Sequence, residues 1–165
     1  MIVVVSNTSP LTNLAAIGQF DLLRRLYGEL HIANGVWDEL NANGKRWPGA
    51  DNVAGANWIE RHTIQNQALV DALSSDLDHG EAESIALAKE LNAALILMDE
   101  KEGRRAAERL GLHVVGTVGV LLEAKVKRFL SSVRPHLDAL RQTAGFYLSE
   151  SVYQSTLVLA GEDKV

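Results

Sequence analysis

The sequence predicts an α/β protein: a three-layer α/β/α domain around a central parallel β-sheet of about five strands. Two unbroken apolar runs, IVVV at residues 2–5 and AALILM at residues 93–98, lack the alternation of a half-solvated strand. They have the character of strands covered on both faces, as those of a parallel sheet are. Strand-like runs also alternate with stretches of helical period along the chain, the order that builds βαβ units with right-handed crossovers.

Residues 2–5 are wholly β-branched and suit a central strand. The strand ends in Ser6-Asn7-Thr8-Ser9, and Pro10 fits the first turn of a helix capped by Thr8 or Ser9, with Leu11, Leu14 and Ile17 as its apolar stripe. FDLLRRLY is a second short helix, closed by Gly28. Residues 30–33 are the second strand, after which Asn34 caps a helix carrying Val36, Trp37, Glu39 and Leu40. Residues 43–57, rich in Gly, Asn and Ala with Pro48, read as a loop holding one helical turn. Residues 58–64 are an edge strand and residues 67–74 a short helix.

From Gly80, GEAESIALAKEL is a helix in which Ile85, Leu87, Ala88 and Leu91 share one apolar arc. Glu81 falls inside that arc, whereas Glu83 and Glu90 lie opposite, as on a solvated face. AALILM follows, and Asp99 comes straight after it. EKEGRRAAERLG is a charged helix ending at Gly111, and residues 112–115 are the fifth strand. Thr117 caps a helix through Arg128. Ser131 or Ser132 starts another, with Pro135 in its first turn, and Ser149 caps a last helix ending near Gly161. No internal repeat interrupts this order.

A chain of 165 residues with 47% hydrophobic and 22% charged content fits a single domain, residues 1–165, with one core. No apolar run approaches a membrane span, and IVVV is too short for a signal peptide, so a cytoplasmic location without membrane attachment is expected. The absence of cysteine excludes disulfides, thiolate catalysis and cysteine-ligated zinc. A net charge of -5 argues against a broad basic face for duplex DNA. A nuclease is still compatible with it, because divalent cations reverse the sign of an acidic pocket.

Topology sends four oxygen-bearing side chains to one edge of such a sheet. Ligands bind beyond the carboxyl ends of the strands, where strand order reverses. Asn7 and Asp99 each follow a strand end, Glu39 sits in the first turn or two of a helix that follows a strand, and Glu81 lies in the first turn of a helix that runs antiparallel to the next strand. Each alone has an ordinary use, as an Asx turn, a solvated residue, an acid at a helix N-terminus or a cap. Together, three carboxylates repel unless a proton or cation relieves them. Oxygen donors without cysteine favour Mg²⁺ or Mn²⁺ over zinc, and metal-assisted phosphoryl chemistry is their natural use.

The strand end VVVSNTSPL, the VWDEL helix, the GEAESIALA helix, the LILMDE strand end and the GTVGVLLEAK helix together resemble the PIN-domain endoribonucleases. The likeness is greatest to the VapC-type toxins, in a subgroup with asparagine at the first acidic position. The resemblance implies that Asn7, Glu39, Glu81 and Asp99 hold Mg²⁺ or Mn²⁺. Thr8 or Ser9 corresponds to the hydroxyl after the first acid. It further implies cleavage of single-stranded or loop RNA and, as is often so in the family, a partner antitoxin that covers the groove; a homodimer is also expected. Asn7 offers a carbonyl oxygen without charge, which weakens metal binding, and Glu81 is one methylene longer than the usual aspartate. A module that has lost catalysis at Asn7 and binds RNA or a partner protein is the alternative.

Lys101, Arg104 and Arg105 follow the acids directly and are candidates for the RNA backbone, or for an ordinary charged surface with Glu100, Glu102 and Glu108. Glu83, Glu100 and Glu102 read as solvated, with Glu83 or Glu100 able to assist through water. The five histidines, His31, His62, His79, His113 and His136, show no metal-ligand spacing, and only His79 lies near the acidic stretch. Trp37 reads as core and Trp47 as a loop residue, structural or able to stack on a base. The C-terminal helices serve as core or as a dimer or antitoxin surface.

Overall fold

In a computed structural model, which describes residues 2–42 and 47–163, the strands are β1 (Val4–Ser6), β2 (Leu30–Ala33), β3 (Ile59–His62), β4 (Leu95–Leu97) and β5 (Val114–Val115). All neighbours are parallel, in the order β3-β2-β1-β4-β5. Val5 stands opposite His31 on one side and Ile96 on the other. The chain builds outward from β1 to β3, then returns to lay β4 against β1. The switch point therefore falls between β1 and β4, the place where an open α/β sheet binds its ligand.

The helices of the described residues are α1 (Thr8–Ala16), α2 (Asp21–Tyr27), α3 (Asn34–Leu40), α4 (Ala50–Ala54), α5 (Gln67–Leu73), α6 (His79–Glu90), α7 (Lys101–Arg109), α8 (Thr117–Val126), α9 (Arg134–Gln142) and α10 (Glu150–Leu159). Side chains alternate across each strand, so the sheet divides the core in two. Val4, Leu30, Ile32 and Leu97 pack under α1, α2, α3, α8, α9 and α10. Val5, Ala33, Ile96 and Met98 pack under α5, α6 and α7. This is the three-layer arrangement the sequence predicts, and the full burial of both faces explains the continuous apolar runs. Among the described residues, no helix is long and apolar enough to cross a membrane.

Several caps fall one residue earlier than expected. Asn7, not Thr8 or Ser9, is the N-cap of α1; Ala33 precedes α3 with Asn34 already helical; and Gly116 precedes α8 with Thr117 in its first turn. In each case the side chain expected to cap bonds elsewhere, as the site geometry explains for Thr8, Ser9 and Thr117. Ser149 does cap α10, accepting the Val152 N–H at 3.1 Å. The helix expected from Ser131 or Ser132 starts at Arg134, with Pro135 in its first turn. Within the loop, α4 supplies the expected helical turn, while residues 43–46 lie outside the described residues.

The larger correction concerns Glu83, which is buried rather than solvated. α6 lies between α3, α5, α7 and the sheet, so residues 80–88 are buried all round and no solvated face remains until Lys89 and Glu90. Glu83 accepts the Gly35 N–H at 2.7 Å and lies 3.3 Å from His79 Nε2. A buried carboxylate is tolerated where it satisfies a donor that would otherwise stay unpaired. Here that donor is a first-turn N–H of α3, and the bond ties α3 to α6. The fold also brings His31 and His62, 31 residues apart, side by side across β2 and β3.

Glu83→Ala is expected to lower the unfolding free energy by about 1–3 kcal/mol in urea titration, because the Gly35 N–H is left buried without an acceptor. Glu102→Ala, on the solvated face of α7, should stay within about 0.5 kcal/mol of the parent.

Candidate active site

Asn7 stands immediately beyond β1, and Asp99 and Glu100 immediately beyond the adjacent β4. The Asn7 amide is 3% exposed, and each of its polar atoms is used. Its backbone N–H donates to Leu97 O at 2.9 Å, which continues the β1–β4 ladder past the strand end. The Ser84 hydroxyl approaches its Oδ1 at 3.3 Å, and its Nδ2 donates to Glu100 Oε2 at 3.3 Å. The Ser9 hydroxyl also donates to Glu100. Glu100, which reads in sequence as a solvated residue, is thus drawn into the site by the first turn of α1.

Glu39 arrives from α3, and the Thr8 hydroxyl donates to its Oε2 at 2.6 Å. It also accepts a bond from the Gly80 backbone. The carboxylate lies flat on the first turn of α6, where a Cβ on Gly80 would overlap Glu39 Oε1. Only glycine lets the two come so close. Glu81 is at the third position of α6 and forms a capping box with Asp78: Glu81 N–H donates to Asp78 Oδ1 at 2.8 Å, and Asp78 N–H to Glu81 Oε1 at 3.1 Å. The ordinary role of an acid at a helix N-terminus and the membership of an acidic cluster therefore coincide in one residue.

Asp99 sits differently. Its Oδ1 accepts the Thr117 N–H at 2.7 Å, and its Oδ2 accepts the Thr117 hydroxyl at 2.7 Å and Asn13 Nδ2 at 3.2 Å. It satisfies the start of α8 rather than that of α7, and both oxygens are engaged. Arg104, half-buried, lines with Asp99 one end of a cleft of about 610 Å³ between β5, α8 and α10. Lys101 is exposed, and Arg105 lies 3.6 Å from Glu102. Trp47, 48% exposed, borders a second recess together with Thr8, Thr12 and Glu39.

The acids raise one another's proton affinity. Burial pushes Glu81 up to about 7, with the charges of Asp78, Glu100 and Glu39 adding to it against the bond from the Asp78 N–H. Burial likewise raises Glu39, opposed by the Thr8 hydroxyl and reinforced by Asp78 and Glu100. Burial also raises Asp99, against the bonds from Thr117. Among the described residues, no lysine or arginine forms an ion pair with Glu39, Glu81, Asp99 or Glu100. Nor do three of their oxygens gather within 4.8 Å of one another, as like charges avoid doing. The donors are all oxygen and mostly carboxylate, a set whose chemistry fits a hard divalent cation such as Mg²⁺ or Mn²⁺.

The structure therefore gathers Asn7, Thr8, Ser9, Glu39 and Glu81 at one rim, with Asp99 beside it. It adds Glu100, Asp78, Ser84, Asn13 and Thr117. Two of these had a signal in the sequence: Glu100 doubles the acid at a strand end, and Ser84 follows Glu81 by three residues on a helix that is otherwise apolar there.

A family model described as DUF3368, PIN domain, matches residues 3–162. No curated protein and no solved structure matches the chain.

The folded chain keeps a proton on Glu81 that the unfolded chain has already released, between the ordinary value of 4.5 and about 7. Stability should fall as pH rises through that window. In excess chelator, urea midpoints of the parent are expected to decline from pH 4.5 to 7, and Glu81→Gln to flatten the decline. An equal slope in both would remove Glu81 as its source.

Proposed function

We propose that the chain, which belongs to the PIN-domain family, whose members are generally nucleases, is a metal-dependent endoribonuclease of the VapC-type toxin class. The single observation that carries this reading is the mutual proximity of Glu39, Glu81 and Glu100 at the switch point, with no ion pair from a lysine or arginine among the described residues. Acids held together at a cost to the fold are best explained by a cation that they serve.

Glu39, Glu81, Glu100 and the carbonyl oxygen of Asn7 would hold Mg²⁺ or Mn²⁺, with Asp99 joining directly or through water. A bound ion of this class supplies Lewis acidity toward a phosphodiester and a nucleophilic water at neutral pH. The protein's own contribution is orientation. Thr8 fixes Glu39, Ser9 and Asn7 fix Glu100, and the capping box fixes Glu81, so each carboxylate is held before substrate arrives. Asp99 holds the start of α8 against β4 and keeps that wall of the site in place. In this reading Lys101, Arg104 and Arg105 would meet RNA phosphates.

A protein partner, whether an antitoxin or a second copy, is supported by apolar groups exposed near the large cleft. Tyr147, Val152 and Leu159 line it and are 87%, 47% and 75% exposed. One observation favours the alternative of a silent binding module: both oxygens of Asp99 are already engaged by Thr117 and Asn13. Asn7→Asp separates the two readings. In a silent module it switches cleavage on, whereas in an active enzyme it costs the amide bond to Glu100 and sets two like charges side by side.

With single-stranded RNA and Mn²⁺, Glu39→Gln is expected to lower cleavage at least about a hundredfold while leaving the circular dichroism unchanged. Excess chelator should abolish cleavage by the parent. Cleavage that survives chelation, or equal rates in Glu39→Gln, would overturn the metal-dependent reading.

A further inference from the structure

Away from the acidic rim, β2 and β3 build a second constellation of a different chemical kind. His31 and Glu60 are directly opposed in the sheet register, and His62 follows two residues after Glu60 on the same face. The ligand atoms of these three residues all lie within 4.8 Å of one another. His31 Nδ1 is 2.9 Å from His62 Nε2, and the Glu60 oxygens lie 3.8 Å from each of those nitrogens. Arg61, between the two ligands in sequence, is sent by strand alternation to the other face, where its guanidinium lies over Trp37 at 4.8 Å.

We propose that His31, His62 and Glu60 form a binding site for a zinc-class divalent cation. Two imidazole nitrogens and one carboxylate oxygen suit Zn²⁺ or Co²⁺, whereas Mg²⁺ prefers an all-oxygen shell. Tetrahedral zinc holds two imidazole nitrogens about 3.3 Å apart, so the rings need to separate by only a few tenths of an ångström. The outer partner is also present. His31 Nε2 lies 3.1 Å from Glu29 Oε1, and a ligating histidine characteristically donates its other N–H to such a carboxylate. That bond fixes the tautomer that leaves the Nδ1 lone pair of His31 facing His62 and Glu60. The side chains of His31 and His62 are 12% and 20% exposed, while Glu60 at 61% leaves an open approach for the ion.

The site clips the edge strand β3 to β2 and closes the intervening segment, which carries α3 and hence Glu39. Its role is structural, and it stands whether or not the acidic rim cleaves RNA. The histidines show no ligand spacing in sequence because the site uses a pair of strands rather than a helix or a loop.

The test titrates the full chain with Co²⁺, then Zn²⁺, in excess Mg²⁺ so that the acidic rim does not compete. One equivalent of Co²⁺ should give a visible d–d band, and Zn²⁺ should displace it. At zinc a hundredfold above Kd, Tm should rise by about 5 °C or more. His62→Gln is expected to weaken binding at least about tenfold and to abolish the Tm rise. Glu60→Gln, at an exposed position, should weaken binding in the same direction should His62→Gln fail to fold. Glu81→Gln should bind as the parent does. Equal binding in the parent and Glu60→Gln, loss of binding in Glu81→Gln, or no band in the parent would each overturn the proposal.

Discussion

The side chain of Asn7 is the joint on which the site depends. Through one amide it meets the helix that precedes β4 at Ser84 and the residue beyond β4 at Glu100, while its backbone continues the ladder between β1 and β4. A carboxylate in its place has nothing to donate to Glu100. A neutral residue at the head of the acidic rim therefore has a positive use: it orders a negative neighbour without adding to the repulsion. The charge absent at position 7 is supplied at position 100.

Around that joint the protein accepts a standing electrostatic cost. Hydroxyls of Thr8 and Ser9 and the backbone around Gly80 offset part of it by donating to the acids. Neutral donors lower a carboxylate's proton affinity without neutralising its charge, so the rim keeps its attraction for a cation. A nearby lysine would relieve the repulsion more fully and abolish that attraction. The His31–His62 pair is the complementary case, with nitrogen donors and a flanking carboxylate in place of crowded oxygens.

The layers of the fold and the edge at which the acids meet were legible in the sequence, because both follow from the period of apolar residues and from parallel topology. Glu83 was misplaced because a two-sided reading of a helix assumes a solvent-facing half, which α6 lacks. Glu100 reads as solvated, at most assisting through water, because the residue after a capping position usually is, and its partners Asn7 and Ser9 lie more than 90 positions earlier. Caps shifted by one residue for a related reason: Thr8, Ser9 and Thr117 already have helical backbone, and their hydroxyls donate to carboxylates brought by distant elements. His31 and His62 meet only through a strand register that no local pattern encodes.

The register of β1 against β4 also governs when the site comes into being. Val5 pairs with Ile96, and Asn7 reaches Glu100 across a similar gap in sequence. β1 can find β2 early, but its other neighbour arrives only after the intervening helices and β3 have been made, and such distant pairings form late because loop closure must precede their reward. The acidic centre is therefore complete only once the strand that ends in Asp99 and Glu100 has docked.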